Sequence, residues 1–348
     1  MRSSRSRESD HEVVEGAHHV KKITKLFAGL GAAALAFTIA ACSSTGGAQG
    51  GDEGDDAVAP GTESGLTIAL VTHSAPGDTF WDIVRRGAED AAAIYGVNLL
   101  YGNDPDGAQQ AQLVQQYVDQ GVDGIAVSLA KPEAMSSSVE QAVSADIPVV
   151  SVNSGADAWQ DLGVLAHFGQ DELVAGEAVG DRLAQEGRTH PVCVIHEQGN
   201  VGHEARCQGI TNKVPGTELL YVQGSDMTQV ESTVTAKLQS TPDADVIVGL
   251  GAPFALTIAQ VAEGLGSEID VVSFDLNGDV AGAVSDGGIS FAVDQQPYLQ
   301  GYLAVESLVL HHDGGFVVGG GQAVLTGPAM VDETNIDDVL AYAEAGKR

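Results

Sequence analysis

Positive charge is scarce in this chain: 16 Lys and Arg face 48 Asp and Glu over 348 residues, a formal charge of −32 at pH 7. A field of that sign repels phosphate backbones, anionic lipid and anionic substrates while favouring solubility, so no nucleic-acid partner is expected. A salty habitat accounts for the acid excess equally well. Aromatics make up only 5% of the residues, and there are three cysteines. No Gly-rich phosphate cradle is present: the turn His73-Ser74-Ala75-Pro76-Gly77-Asp78-Thr79-Phe80-Trp81 has one Gly, a Pro and an acid where backbone amides would have to approach a pyrophosphate. The runs Gly249-Leu250-Gly251 and Gly319-Gly320-Gly321 lack the context of a nucleotide loop. A G-x-S-x-G elbow is missing too, so covalent catalysis has no candidate, and no cofactor is expected.

Long apolar runs are also missing, with one exception. Lys21, Lys22 and Lys25 precede an apolar stretch from Leu26 to Ala41 that ends in Thr38-Ile39-Ala40-Ala41-Cys42. Basic patch, core of signal-peptide size and small residues before a cysteine read as a bacterial lipoprotein signal, because a permanent span needs about 20 strongly apolar residues. Residues 1–41 are therefore expected to be a signal peptide, Cys42 the lipidated residue, and the protein anchored on the outer face of the cytoplasmic membrane. The first 19 residues carry four acids, unusual for the region before such a core, which suggests that translation begins near Val20. Residues 42–65 have almost no large apolar side chains to offset the entropy of ordering and read as a flexible tether.

The 306 residues after Cys42 suffice for two ordinary domains. From Leu66 onward short apolar runs, at 66–72, 97–101, 123–128, 147–152, 163–168, 191–197, 218–223, 245–250, 270–274 and 289–294, read as strands. Segments of helical period lie between them, such as Phe80, Val84, Ala88, Ala91 and Tyr95. Alternation at this spacing predicts an α/β protein with parallel sheets covered on both faces, and its two rounds of about five strands predict two Rossmann-like lobes. Ligands of such sheets bind beyond the carboxyl ends of the strands.

Cys193, in an apolar strand, and Cys207, in the following helical segment, lie outside the membrane, where a disulfide persists. Closing a loop of about 15 residues would contribute about 3 kcal/mol in the chain-entropy model. The segment His196-Glu197-Gln198-Gly199-Asn200-Val201-Gly202-His203-Glu204 has two His and two acids but not the HExxH spacing, so it reads as a loop lining a cleft, with His203 a ligand contact and no metal site. Phe80-Trp81 after the first strand and Phe274-Asp275 after the ninth offer what a polyhydroxylated ring needs, apolar faces beside acids. His73, at the end of the first strand, is a candidate of the same kind.

The strings Leu66-Thr67-Ile68-Ala69-Leu70-Val71, Thr79-Phe80-Trp81 with Gly87-Ala88, Ile147-Pro148-Val149-Val150, Phe274-Asp275 and Gln295-Gln296-Pro297 follow one another in that order. On them, over residues 66–331, the chain resembles the ribose-type sugar receptors of ABC importers, the type I periplasmic-binding-protein family. The resemblance implies a multi-strand hinge between an N-terminal lobe of residues 66–168 and 295–326 and a C-terminal lobe of 169–294 and 327–348. It puts stacking aromatics on Phe80 and Trp81, a cleft arginine on Arg206, an acid on Asp275 and a hinge glutamine on Gln295. Asp78 and Asn153 stand where ribose receptors carry Asn and Asp. Ser154, Leu129 and Gly251 replace an arginine and two asparagines of those receptors, so ribose itself is not the expected ligand.

The expected activity is non-enzymatic: a monomeric, lipid-anchored receptor closes on a neutral sugar or polyol and presents it to an ABC permease. A signalling receptor for a sugar or furanose-like signal, and an exported Rossmann-type enzyme, are the alternatives.

Overall fold

Thr67–Thr72 (β1) is buried at every residue but its first and pairs in parallel with Asn98–Asn103 (β2) on one side and Gly124–Ser128 (β3) on the other. The computed structural model describes residues 64–75 and 78–348. The signal peptide, Cys42, nearly all of the tether and the start near Val20 lie outside the described residues.

Beyond β3 the first sheet continues through Val149–Asn153 (β4) and His167–Gln170 (β5) to a late strand, Val324–Gly327 (β11), giving the order β11-β5-β4-β3-β1-β2. The second sheet repeats the plan with Pro191–Ile195 (β6), Glu218–Tyr221 (β7), Val246–Gly249 (β8), Asp270–Phe274 (β9), Phe291–Asp294 (β10) and Ala329–Asp332 (β12), in the order β12-β10-β9-β8-β6-β7. Every pairing is parallel except β10 with β12. Each sheet has an apolar core on both faces, the burial a parallel sheet requires.

Six strands stand in each sheet where about five are expected. The additions are the sixth strands, β11 and β12, at one edge of each. The fifth strand also begins later than its apolar run: Gly163 is left-handed (φ 73°) and closes a turn onto Gln160, so full pairing starts only at His167.

Helices cover the faces. Thr79–Tyr95 (α1) starts at Asp78, whose carboxylate accepts the Phe80 N–H at 3.1 Å, and stops at left-handed Gly96. It packs on Pro297–Gly314 (α9), where Gly87 meets the backbone of Tyr298 and Gly301 that of Val84; a side chain at either glycine would drive the helices apart. Glu172–Gln185 (α4) and Val201–Lys213 (α5) make the matching pair in the other lobe through Gly176 and Gly209. The Cα atoms of Cys193 in β6 and Cys207 in α5 are 5.8 Å apart, inside the range a disulfide spans.

The chain passes from one sheet to the other three times, between β5 and α4, between β10 and α9, and between β11 and β12. Three adjacent crossings restrict the relative motion of the lobes to a hinge.

Candidate functional site

Loops that follow strands of both sheets meet around one small cavity at the carboxyl ends of the strands. His73 follows β1, Asp78, Phe80 and Trp81 open α1, and Asn153 ends β4. The second lobe answers with His196 and Glu197 after β6, His203 and Arg206 on α5, Leu250 and Gly251 after β8, Pro253 and Phe254 on the helix Ala252–Leu265 (α7), and Asp275 after β9.

Asn153 (φ 63°) and Asp275 (φ 69°) hold corresponding places in the two lobes, and both are left-handed. Only Asn, Asp and Gly adopt that backbone readily, so each turns its polar side chain off the strand at small cost. Gln295 joins them: its Oε1 accepts from Asn153 Nδ2 at 3.0 Å and its Nε2 donates to Asp275 Oδ1 at 2.5 Å. Gln300 Nε2 donates to the same Oε1 at 2.9 Å and so fixes which end of the amide faces which lobe. Further contacts close the cleft directly. Lys131 Nζ lies 2.9 Å from Glu197 Oε1, Val201 N–H donates to Ala130 O at 3.0 Å, and Asn277 Nδ2 donates to Thr79 Oγ1 at 3.2 Å.

Arg206 is almost fully buried (3% exposed), with Glu172 beside it at 6%. Its Nε and Nη2 donate to the two Glu172 oxygens at 2.6 and 2.8 Å, and Nη1 donates to Leu250 O at 3.2 Å. Burial alone would weaken the guanidinium's hold on its proton, but the Glu172 carboxylate more than reverses that. A guanidinium has five N–H donors, so two remain for a ligand while the charge is already matched.

Burial favours the neutral form of the three histidines on the cavity wall. Burial lowers His73 and takes His203 well below its usual range, and it pushes His196 down to about 3, with Arg206 adding to the effect. The Asn200 amide faces His73 Nε2 at 3.3 Å, leaving Nδ1–H to donate to Ser128 Oγ at 2.7 Å. The Nδ1 atoms of His196 and His203 are buried without a protein partner. Among the described residues no three His, Cys, Asp or Glu side chains are grouped to hold a metal ion.

Of the side chains singled out in the sequence, His73, Asp78, Phe80, Trp81, Asn153, His203, Arg206 and Asp275 line this cavity. Phe274 does not: it is a fully buried strand residue whose ring carries the Arg206 guanidinium at 4.9 Å, so it supports the cation instead of offering a stacking face. Gln295 stands behind the wall and acts through Asn153 and Asp275. The sequence reading missed Phe254, Leu250, Pro253 and Glu172. Phe254 was within reach, since an aromatic at the start of the helix after β8 repeats the pattern of Phe80 after β1; its ring stacks on His196 at 3.7 Å.

Two sheets joined by three crossings, with strand ends facing across a polar and aromatic cleft, define a two-lobed receptor that closes on a small solute. The chain belongs to the family described as the periplasmic binding protein domain, whose model matches residues 68–315. It is similar to a carbohydrate transporter from Acidothermus cellulolyticus solved in complex with myo-inositol: 46% identical, TM-score 0.80, covering 81% of this chain and 99% of that one. Among curated proteins it is 26% identical over 296 residues to the fructose import binding protein of Bifidobacterium longum, covering 80% of this chain and 86% of that protein. It is 24% identical over 266 residues to the ribose import binding protein of Bacillus subtilis, covering 72% and 84%.

Proposed function

We propose that this protein is the extracytoplasmic receptor of an ABC importer and that its ligand is a small neutral ring bearing many hydroxyls, a cyclitol of the inositol type foremost. The observation that carries this reading is the Arg206–Glu172 pair, which leaves N–H donors in the cavity while cancelling the cation that a uronate or sugar phosphate would need. Neutral histidines, Asn153 and Asp275 supply further partners for hydroxyls, and Trp81 and Phe254 supply apolar faces from opposite lobes. The similarity to a protein holding myo-inositol supports the choice of ring. A hydroxyl site left with unmatched buried polar groups loses about 1–3 kcal/mol for each, so the missing ribose-type contacts at Leu129, Ser154 and Gly251 count against ribose.

The test is thermal shift followed by calorimetry with myo-inositol, D-ribose and D-glucuronate. Myo-inositol is expected to bind, and at 100 times its Kd to stabilise the protein by about 2.7 kcal/mol; glucuronate is expected to give no shift. Tighter binding of glucuronate than of any neutral ring would defeat the reading.

Bound solute is captured without chemical change, by a monomer tethered to the membrane through lipid on Cys42. Cys42→Ser is expected to move the protein from the membrane fraction to the medium or periplasmic extract, and continued membrane retention would count against the anchor. The pairing of Cys193 with Cys207 is supported by their 5.8 Å Cα separation. Protein unfolded in denaturant without reductant is expected to take up no alkylating agent at either residue, and one label at each once reduced, by mass spectrometry.

A further inference from the structure

The charges around the cavity do not balance. Two cations approach it, and each is already matched: Lys131 by Glu197 at 2.9 Å and Arg206 by Glu172. The three histidines, His73, His196 and His203, carry no charge at neutral pH. Asp78 and Asp275 are left over, one from each lobe and both on the cavity wall. One oxygen of each accepts a neutral donor, the Phe80 N–H and the Gln295 amide. No protein donor bonds the other oxygen of Asp275, whose residue is 7% exposed.

We propose that the cleft also captures an amino-polyol, a hydroxylated ring bearing one protonated amine, with the ammonium seated between Asp78 and Asp275. This rests on the polyol reading above. A hydroxyl gives a carboxylate one hydrogen bond and no charge, whereas an ammonium gives three donors and cancels part of a surplus that a low-dielectric site makes costly.

The titration of the two acids gives the proposal a pH signature. Burial first, and the Asp275 charge second, push Asp78 up to about 7; the Phe80 N–H works against this, while Glu197 and Asp82 add to it. Burial likewise lifts Asp275 to about 6, opposed by Arg206 and Gln295 and helped by Glu172 and Asp294. Asp294 is itself held by Arg348 at 2.5 Å. Near pH 5.5 both acids hold protons and offer an ammonium little. As the pH rises through 6 and 7 they ionise, so amine binding strengthens and proceeds with release of protons. Above the amine's own pKa it weakens again. A neutral ring gains far less from the same ionisation.

The experiment is calorimetry on the full protein with myo-inositol and a monoamino analogue, an inosamine, at pH 5.5, 6.5 and 7.5, in two buffers of different ionisation enthalpy. The inosamine is expected to bind about tenfold or more tightly at pH 7.5 than at 5.5, releasing protons, while inositol affinity changes several-fold less. Asp78→Asn, with folding checked by its melting temperature, is expected to lower the ratio of inosamine to inositol affinity about tenfold; Asp275→Asn serves as the second variant should the first not fold. Inositol binding with no heat from the inosamine, an inosamine affinity that does not vary with pH, or an unchanged ratio in the variants overturns the proposal. Failure of both ligands would instead remove the polyol reading on which it stands.

Discussion

Alanine at Asp275 raises the Kd for the bound polyol roughly 10- to 150-fold, since a hydrogen bond to a charged group contributes about 1.5–3 kcal/mol. The position makes the loss specific. Asp275 is on the cavity wall, carries the second lobe's contact to Gln295 at 2.5 Å, and through Gln295 is coupled to Asn153 of the first lobe. Removing the carboxyl therefore removes a ligand partner and one end of the amide that spans the hinge. Asparagine is the informative control, because it tolerates the left-handed backbone (φ 69°) and keeps a hydrogen-bonding oxygen. Calorimetry with myo-inositol should place Asp275→Asn between wild type and Asp275→Ala. Equal affinity in all three would mean that the ligand does not touch this acid.

Glu172→Ala unfolds the protein more easily by about 3–5 kcal/mol, the cost of leaving a buried guanidinium without its partner. Arg206 is almost fully buried, and its remaining ties are Leu250 O at 3.2 Å and the Phe274 ring. Denaturant unfolding with an unchanged m value measures the loss. Glu172→Gln keeps the shape and one acceptor, so it is expected to lose less stability while exposing the Arg206 charge to the cavity. Its second readout is affinity for glucuronate, which should appear in this variant and not in wild type. A Glu172→Ala protein as stable as wild type would mean that the pair is not buried in solution.

Much of this architecture was legible because it follows from local pattern. Runs such as Leu66–Thr72 and the 3.6-residue period from Phe80 to Tyr95 state a strand and its crossover helix without reference to the rest of the chain. The edge strands β11 and β12 were not legible. Val324–Gly327 and Ala329–Asp332 are four residues each, mostly half-exposed, and become strands only because the chain returns beside β5 and β10.

The candidate site divides in the same way. Residues directly after strands, such as His73, Asn153 and Asp275, could be named from the rule that parallel sheets bind at their carboxyl ends. Glu172 could not. It reads as an ordinary acid in the first turn of a helix, and nothing local says that it will meet a guanidinium 34 residues away. Phe274 failed for a third reason: the alternation of a strand sends it into the core and Asp275, one residue on, into the cleft.

The left-handed backbone at residues 153 and 275 has a consequence for how such a receptor changes its diet. With φ at 63° and 69°, both positions accept Asn, Asp or Gly and resist other residues, so the chemistry presented from either strand end can vary only among an amide, an acid and nothing. At 275, Asp to Asn replaces one carboxylate oxygen by an –NH2, keeps an oxygen that accepts from Gln295 and shifts the charge of the cleft by one unit, whereas an acid at 153 would lose the hydrogen bond that Asn153 donates to Gln295 Oε1. Selection acting on the codon for residue 275 can thus move a descendant between cationic and neutral nutrients in a single step, while the scaffold that brings the lobes together is inherited intact.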